Sequence, residues 1–436
     1  MIQTIDLRGR RPTRAELLAA VPRSLTDVSE ASDAAAALIA DVRARGTVAL
    51  TEQAVRFDGA APAHTRVPGE SIARAVDSLD AAVRDALELA IDRVATVSRS
   101  QVPAPVTTTL LDGGTVTQRW SPIDRVGLYV PGGKAVYPSS VVMNVVPAQA
   151  AGVPSIALAS PPQKAFGGEV HPTILAAAGL LGIDEVYAMG GAGAIGAFAY
   201  GVDDLGLDPV DLVTGPGNIY VAAAKRLVRG VIGIDSEAGP TEIVVIADAG
   251  ADARLVAADL VSQAEHDEIA AAVLVTDSVD LAERVRHELD DLVPNAHHAA
   301  RVRTALGGVQ SAIVLVDDMG EAARFSNVYG PEHLELQTSD TPGLLALITN
   351  AGAVFEGEHS PVSLGDYLAG SNHVLPTGGQ SRFSSGLGAY TFLRPQQVIR
   401  YSATALETVG RHVVALSEAE DLPAHGAAVS ARLERP

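Results

Sequence analysis

Cysteine is absent from the 436 residues. That excludes a disulfide framework, a thiolate zinc site and a thiolate nucleophile. It also fits a reducing compartment, and a cytoplasmic location is expected. Basic residues are scarce. The 32 Lys and Arg stand against 52 Asp and Glu, which leaves a formal charge of −20. Such a chain has little to offer nucleic-acid phosphates, so no nucleic-acid partner is expected. Charged residues make up only 19% against 47% apolar, which excludes disorder and allows large buried cores. Residues 1–11 lack the apolar segment of a signal peptide. One stretch, between Lys134 and Lys164, carries no charge. It is broken by Pro138, Pro147, Pro154, Pro161 and Pro162, and by Asn144, Gln149 and Gln163. A membrane-spanning helix wants about 20 continuous apolar residues. The stretch reads instead as a buried α/β core, and no membrane association is expected.

What is present has a clear rhythm. At about 150 residues per domain, the length suggests two or three domains. Asp27 to Ala44 and Glu70 to Val97 carry apolar residues at helical steps, with Ile72, Ala75, Val76, Leu79, Ala82, Val83 and Ala86 on one face and Ser71 outside it. From Arg125 onward, short β-like runs alternate with helical ones. The runs are 126–130, 155–160, 185–189 and 211–214, then 243–248, 271–276, 312–317 and 353–355. That is the pattern of parallel sheets. The expected fold is α/β: two doubly wound, incomplete Rossmann-like parallel-sheet domains, N-terminal helices and a helical C-terminal tail. The expected division is a helical part at 1–128 packing with the second α/β domain, α/β domains at 129–236 and 237–385, and a tail at 386–436 with little sheet signal.

Ligands of parallel sheets bind beyond the carboxyl ends of the strands. Three expected strands run into glycine turns that open helices: Pro131-Gly132-Gly133, Gly190-Gly191-Ala192-Gly193 and Gly215-Pro216-Gly217-Asn218. Each alone is equally a tight turn. Together they suggest a phosphate-bearing ligand such as a dinucleotide. Residues 191–196 match GxGxxG, but no convincing acidic residue ends the next strand.

Of the 11 histidines, four stand in unusual company. Gln263 and His266 are three apart near a helix end, which puts both on one face. They are candidate metal ligands, or an ordinary polar helix end. Asp366 and His373 share a long loop poor in charge, with turns at Gly365, Gly370 and Gly378. Adjacent Glu332 and His333 could bring two titrating groups to one site, with His333 a general base near neutral pH. Glu420 and His425 lie near the C-terminus, where side chains are usually solvated.

Six segments then carry a resemblance. RVGLYVPGG (125–133), TGPGN (214–218), DSEAGPTE (235–242), SQAEHDE (262–268), YGPEHLEL (329–336) and GDYLAGSNHVLPT (365–377) together resemble the histidinol dehydrogenases, over nearly the whole chain. The resemblance implies a zinc-dependent, NAD-linked homodimer with shared active sites. Such an enzyme oxidises L-histidinol to L-histidinal and then to L-histidine. By motif match, the family's zinc ligands fall on Gln263, His266, Asp366 and His425, and its acid/base pair on Glu332 and His333. Substrate contacts fall on Thr241, His333, Asp366, His373 and Glu420, beside the metal ligands. NAD contacts fall on Tyr129, Gly193 and Asn218. Two positions depart from the family pattern. Gly193 stands where Gln is frequent, so that side-chain contact is lost, and Thr241 replaces a frequent Ser but keeps the hydroxyl. The resemblance also implies that the tail reaches the partner's site.

The missing cysteine bears on the second oxidation. Aldehyde oxidation with NAD commonly passes through a thiohemiacetal, which needs a thiolate. Here a hydrated aldehyde is expected, with Glu332 and His333 as the available bases. Gln, His and Asp donors are hard, so manganese is an expected substitute for zinc. Two other readings remain open on the residues alone: a zinc hydrolase using Glu332 on a metal-bound water, and a non-catalytic binding protein with a metal-stabilised loop.

Overall fold

The computed structural model describes residues 2–23, 28–132, 136–237 and 239–434. Of the residues in expected features, Met1, Asp27, Gly133, Ala135 and Ala238 lie outside the described residues. Two parallel sheets organise the chain. The first has the order Val186–Ala188, Ser155–Ser160, Arg125–Tyr129, Leu212–Thr214, Gly233–Ile234. The second runs Gln3–Asp6, Ala312–Leu315, Ala271–Thr276, Glu242–Ala247, His333–Gln337, Ala353–Glu356. Counted along the chain, the five strands from Arg125 and the five from Glu242 both follow the order 3-2-1-4-5. The N-terminal strand Gln3–Asp6 adds an edge to the second sheet beside Ala312–Leu315.

Helices cover both faces of each sheet, so central strands such as Glu242–Ala247 and Ala271–Thr276 are buried along their whole length. This is why they read as unbroken apolar runs rather than alternating ones. The uncharged stretch forms the buried core expected of it. Pro138 opens the helix Pro138–Ala151, where proline is tolerated, and Gly152 closes it in the left-handed region at φ 83°. No described helix is long and apolar enough to cross a membrane.

Three expectations need correction. First, the N-terminal helices do not pack mainly with the second unit. Among their described residues, Leu17 and Val21 join its core with Val244 and Val314, and Ala20 packs against it. Ala31, Ala35 and Ile39 pack with Tyr129 and Ala157, and Ile72, Leu87 and Val94 pack with Val126 and Leu128, all in the first unit. The helix Gly191–Tyr200 is apolar on every side and buried from Ala192 to Ala199, so it requires an outer layer, which the N-terminal helices provide. Second, Glu70 to Val97 is not one helix. It breaks at Ser78–Asp80, where the Asp80 carboxylate caps the helix Ala81–Ser100 through the amides of Ala82 and Val83. The break resets the phase, so Val83 is exposed, Ser71 is buried, and the stripe continues through Leu87, Ala90 and Val94. Third, the last fifty residues are not all helical. Leu393–Tyr401 is a nine-residue strand pairing antiparallel with Gly114–Pro122, which also pairs with Val106–Leu111. The strand is exposed over most of its length and contains Pro395, so it lacks the buried alternation by which strands are recognised.

Candidate active site

The residues that carry chemistry gather at the amino ends of central strands of the second sheet, not beyond the carboxyl ends. Thr241 immediately precedes Glu242–Ala247, and Glu332 immediately precedes His333–Gln337. These strands are neighbours, with His333 opposite Ile243. The helix Ala253–Ala264, capped by Asp252, returns the chain to the same end and delivers Gln263 in its last turn. His266 lies just past the helix end, held by its N–H on the Gln263 carbonyl at 3.3 Å. The two are thus close, with His266 one residue beyond the C-cap Glu265.

A chain of short bonds joins these groups. The Gln263 amide donates to Thr241 Oγ1 at 2.7 Å, and Thr241 Oγ1 donates to Glu332 Oε2 at 2.6 Å. The same Oε2 accepts the Glu242 N–H at 3.0 Å. Both bonds favour a carboxylate, yet burial outweighs them and pushes the Glu332 carboxyl up to about 8. His333 is 5% exposed, and its Nδ1 lies 3.2 Å from the Glu242 carbonyl. A carbonyl only accepts, so Nδ1 carries the proton and Nε2 is left with a lone pair. Burial lowers the His333 pKa against the opposing pull of Asp366, so the ring is neutral at pH 7. Behind this pair, Arg23 binds the Glu242 carboxylate at 2.6 and 3.1 Å and lies over the Tyr329 ring.

Asp366 lies in the short helix Val362–Tyr367 and not in a loop as expected; the loop that follows it carries His373 and bridges to the first sheet. His373 Nδ1 donates to the Asp366 carbonyl at 3.0 Å, and its Nε2 accepts from Ser140 Oγ at 3.1 Å. Asn372 donates to the Met143 carbonyl, and Gly239 N–H donates to Thr377 Oγ1. The ring of His373 is within electrostatic range of Asp366, His333 and His266. Thr241, Gln263, His266, Glu332, His333, Asp366 and His373 therefore form one cluster. Glu420 and His425 are not joined to it by any hydrogen bond or ion pair among the described residues. Both are exposed: Glu420 caps the C-terminus of the helix Ala403–Ala419, and His425 lies in the first turn of the helix Pro423–Leu433.

On the first sheet, Tyr129 ends the central strand and is buried, and its hydroxyl accepts the Gly191 N–H at 3.2 Å. Asn218 caps the helix Ile219–Val228 with its side-chain oxygen, leaving its amide group exposed. The turn before it is pinned from below. Gly215 donates to Asp235, and the buried ammonium of Lys225 donates to the Gly215 carbonyl and pairs with Asp235. Gly193 is buried, and a methyl group there would meet Gln53 Oε1 at 2.3 Å. The space for a side chain at 193 is thus filled by Gln53 of the helix Thr47–Phe57. Sequence reasoning passed over Gln53, Arg23, Ser140 and Lys225. None has a local pattern that marks it, because each acts through a contact distant in the chain.

Comparison with known proteins now bears on the cluster. A family model described as histidinol dehydrogenase matches residues 21–433. A histidinol dehydrogenase of Leifsonia xyli subsp. xyli is 67% identical, covering 99% of this chain and 99% of its own. One from Thermobifida fusca is 60% identical over 100% and 98%. This chain belongs to the histidinol dehydrogenase family. A crystal structure of histidinol dehydrogenase from Elizabethkingia anophelis has the same fold, with a TM-score of 0.93 at 32% identity, covering 99% of this chain and 98% of that one.

The zinc implied by the histidinol dehydrogenase resemblance can be tested against the side chains. Gln263 is 2% exposed; its amide nitrogen is bound to Thr241, while its Oε1 is buried with no hydrogen-bond partner among the described residues. A buried oxygen left open in this way suits a hard cation. His266 is exposed and Asp366 half-buried, and both border the same cluster. Among the described residues, no group of three or more His, Cys, Asp or Glu forms a metal cage. The fitting set in one chain is an amide, an imidazole and a carboxylate, and it needs a further ligand.

Proposed function

We propose that the protein oxidises L-histidinol through L-histidinal to L-histidine, the closing steps of histidine synthesis, with NAD as the electron acceptor and a divalent ion, zinc or manganese, in the site. Gln263, His266 and Asp366 would hold the ion, with His425 of a second copy as fourth ligand. When bound, the ion supplies a template for the imidazole and amino nitrogens of the amino alcohol. NAD supplies the hydride acceptor, along Tyr129, Gly193 and Asn218. The observation that carries this reading is the hydrogen-bonded series Gln263–Thr241–Glu332 beside a neutral, buried His333, in a chain of the histidinol dehydrogenase family.

The protein's own groups divide the proton work. His333 Nε2, with its lone pair free at pH 7, takes the hydroxyl proton of the alcohol in the first oxidation. Its Nδ1 stays tied to the Glu242 carbonyl, which fixes the ring and its tautomer. In the second oxidation the substrate is the aldehyde hydrate, because the chain has no cysteine to form a thiohemiacetal. Glu332 holds a proton at pH 7 and releases it near pH 8, so it becomes a base for water on the alkaline side. His373, braced by Ser140, and Thr241 position the substrate.

The exposed Glu420 and His425 fit a tail that completes the site of a second copy. Size measurement in solution tests the dimer. Mixed dimers of a His333→Asn chain with a His425→Asn chain should regain activity, since one of their two sites has all its groups. The reaction itself is tested on dialysed protein supplied with histidinol, NAD and zinc. Two reduced cofactors per histidinol consumed are expected, and consumption without cofactor reduction would overturn the assignment in favour of a hydrolase.

A further inference from the structure

A carboxylate without a counterpart stands at the far edge of the first sheet. Asp58 ends the helix Thr47–Phe57, its N–H bonded to the Ala54 carbonyl at 2.8 Å. Its side chain faces the glycine turn after Val186–Ala188. A methyl group on Gly190 would come within 3.3 Å of Asp58 Oδ2. At the same turn the Tyr129 hydroxyl binds the Gly191 amide and feels the Asp58 charge. Among the described residues, the Asp58 carboxylate has no hydrogen bond and no ion pair. Burial alone lifts its carboxyl to about 6, with no cation near enough to counter it. A negative charge at a helix C-terminus is also opposed by the helix dipole. The fold thus keeps an acid where its own environment disfavours it, beside the Gly190 turn at the carboxyl end of Val186–Ala188.

The direction of a bound dinucleotide follows from the topology. The His373–Ser140 bond fixes the catalytic cluster against the helix Pro138–Ala151, which follows the central strand Arg125–Tyr129. The Gly190 turn follows the edge strand, two strand spacings away, or about 10 Å. With its nicotinamide at the cluster, the cofactor would lay its adenosine half toward that edge. We propose that Asp58 accepts hydrogen bonds from the ribose hydroxyls of that half and selects NAD over its 2′-phosphorylated form. The inference rests on the NAD reading above. A carboxylate binds a vicinal diol through both oxygens and repels a phosphate in the same place. In the usual dinucleotide fold that acid ends the second strand of the unit, which here is Ser155–Ser160 and ends without one. Asp58 supplies it from the N-terminal helical layer instead.

The test is calorimetry on the full-length protein with NAD, ADP-ribose and NADP. The wild type should bind NAD and ADP-ribose and discriminate against NADP. Asp58→Ala should weaken ADP-ribose and NAD by about tenfold to a hundredfold, the range for a hydrogen bond to a charged group. Asp58→Asn should narrow the gap between NAD and NADP. Both variants should melt no lower than the wild type without ligand, since each removes an uncompensated, half-buried acid. Unchanged ADP-ribose affinity in Asp58→Ala, with NAD still bound by the wild type, overturns the role of Asp58 alone. A wild type that binds neither NAD nor ADP-ribose overturns the NAD reading and the inference with it.

Discussion

Replacing Glu332 by glutamine isolates the energetic burden of the buried acid. Glu332 is 7% exposed, and its Oε2 already accepts two hydrogen bonds, which a glutamine oxygen can accept in the same place. The difference between the two side chains is titration. The folded protein holds this proton up to about pH 8, whereas an unfolded chain releases it near the ordinary 4.5. Between those values the native state binds more protons than the unfolded state, so stability falls as pH rises. At 1.36 kcal/mol per pKa unit, the full loss above pH 8 is about 5 kcal/mol as an upper bound. E332Q never carries the charge and escapes that loss. Thermal midpoints of metal-free protein should therefore nearly coincide at pH 5, and the variant should rise above the parent by several degrees at pH 9. The His333 contribution is present in both proteins and cancels in the comparison. A constant offset from pH 5 to pH 9, or a parent that is the more stable at pH 9, would refute the argument. The same titration should appear in catalysis as a rise in activity through about pH 8 in the parent profile that E332Q lacks.

Further outcomes follow from the same geometry. His333→Asn keeps a side chain that can donate to the Glu242 carbonyl but has no basic nitrogen, so turnover should fall by about a hundredfold to ten-thousandfold with KM for histidinol little changed. If KM rises instead and turnover holds, His333 is a binding group only. His266→Ala removes an exposed residue without touching a core; elemental analysis should find the purified variant depleted of metal, and full occupancy would remove His266 from the ligand set. Gly193→Gln forces a side chain into the volume of Gln53 and should cost about 1–3 kcal/mol of stability, which Gln53→Ala in the same chain should recover. Equal melting of Gly193→Gln and the parent would mean that the space is not occupied as described.

The parallel sheets were legible because burial on both faces leaves a signal in consecutive residues: Ala271–Thr276 and Ser155–Ser160 are bounded where their apolar runs are bounded. The chemical residue types were legible too, since Gln263 and His266 stand three apart near a helix end and Glu332 and His333 stand side by side. Their bonding was not. Thr241 and Glu332 are 91 positions apart, and only the pairing of Glu242–Ala247 with His333–Gln337 puts them at 2.6 Å. Arg23 reaches Glu242 across 219 positions, with nothing around either residue to announce it. The strand Leu393–Tyr401 stayed hidden for the opposite reason. Its partner Gly114–Pro122 is half-buried along most of its length, without a buried face on alternate residues, so neither strand shows one in its sequence.

Under the proposed function, ligands gather at the carboxyl strand ends of the first sheet but at the amino strand ends of the second, and the connection between the sheets gives the reason. The first sheet finishes with Gly233–Ile234, and the second begins its own winding at Glu242, only the segment 235–241 later. So short a link carries the chain from the carboxyl end of one sheet to the amino end of the next. The glycine turns of the first sheet are thereby brought toward Thr241, Glu332 and His333, and the Asp366–His373 loop crosses between them to Ser140. Neither sheet alone offers both a phosphate-friendly turn and a proton-transfer pair. Placing opposite strand ends face to face would let the proposed hydride acceptor on one sheet meet the proposed base on the other.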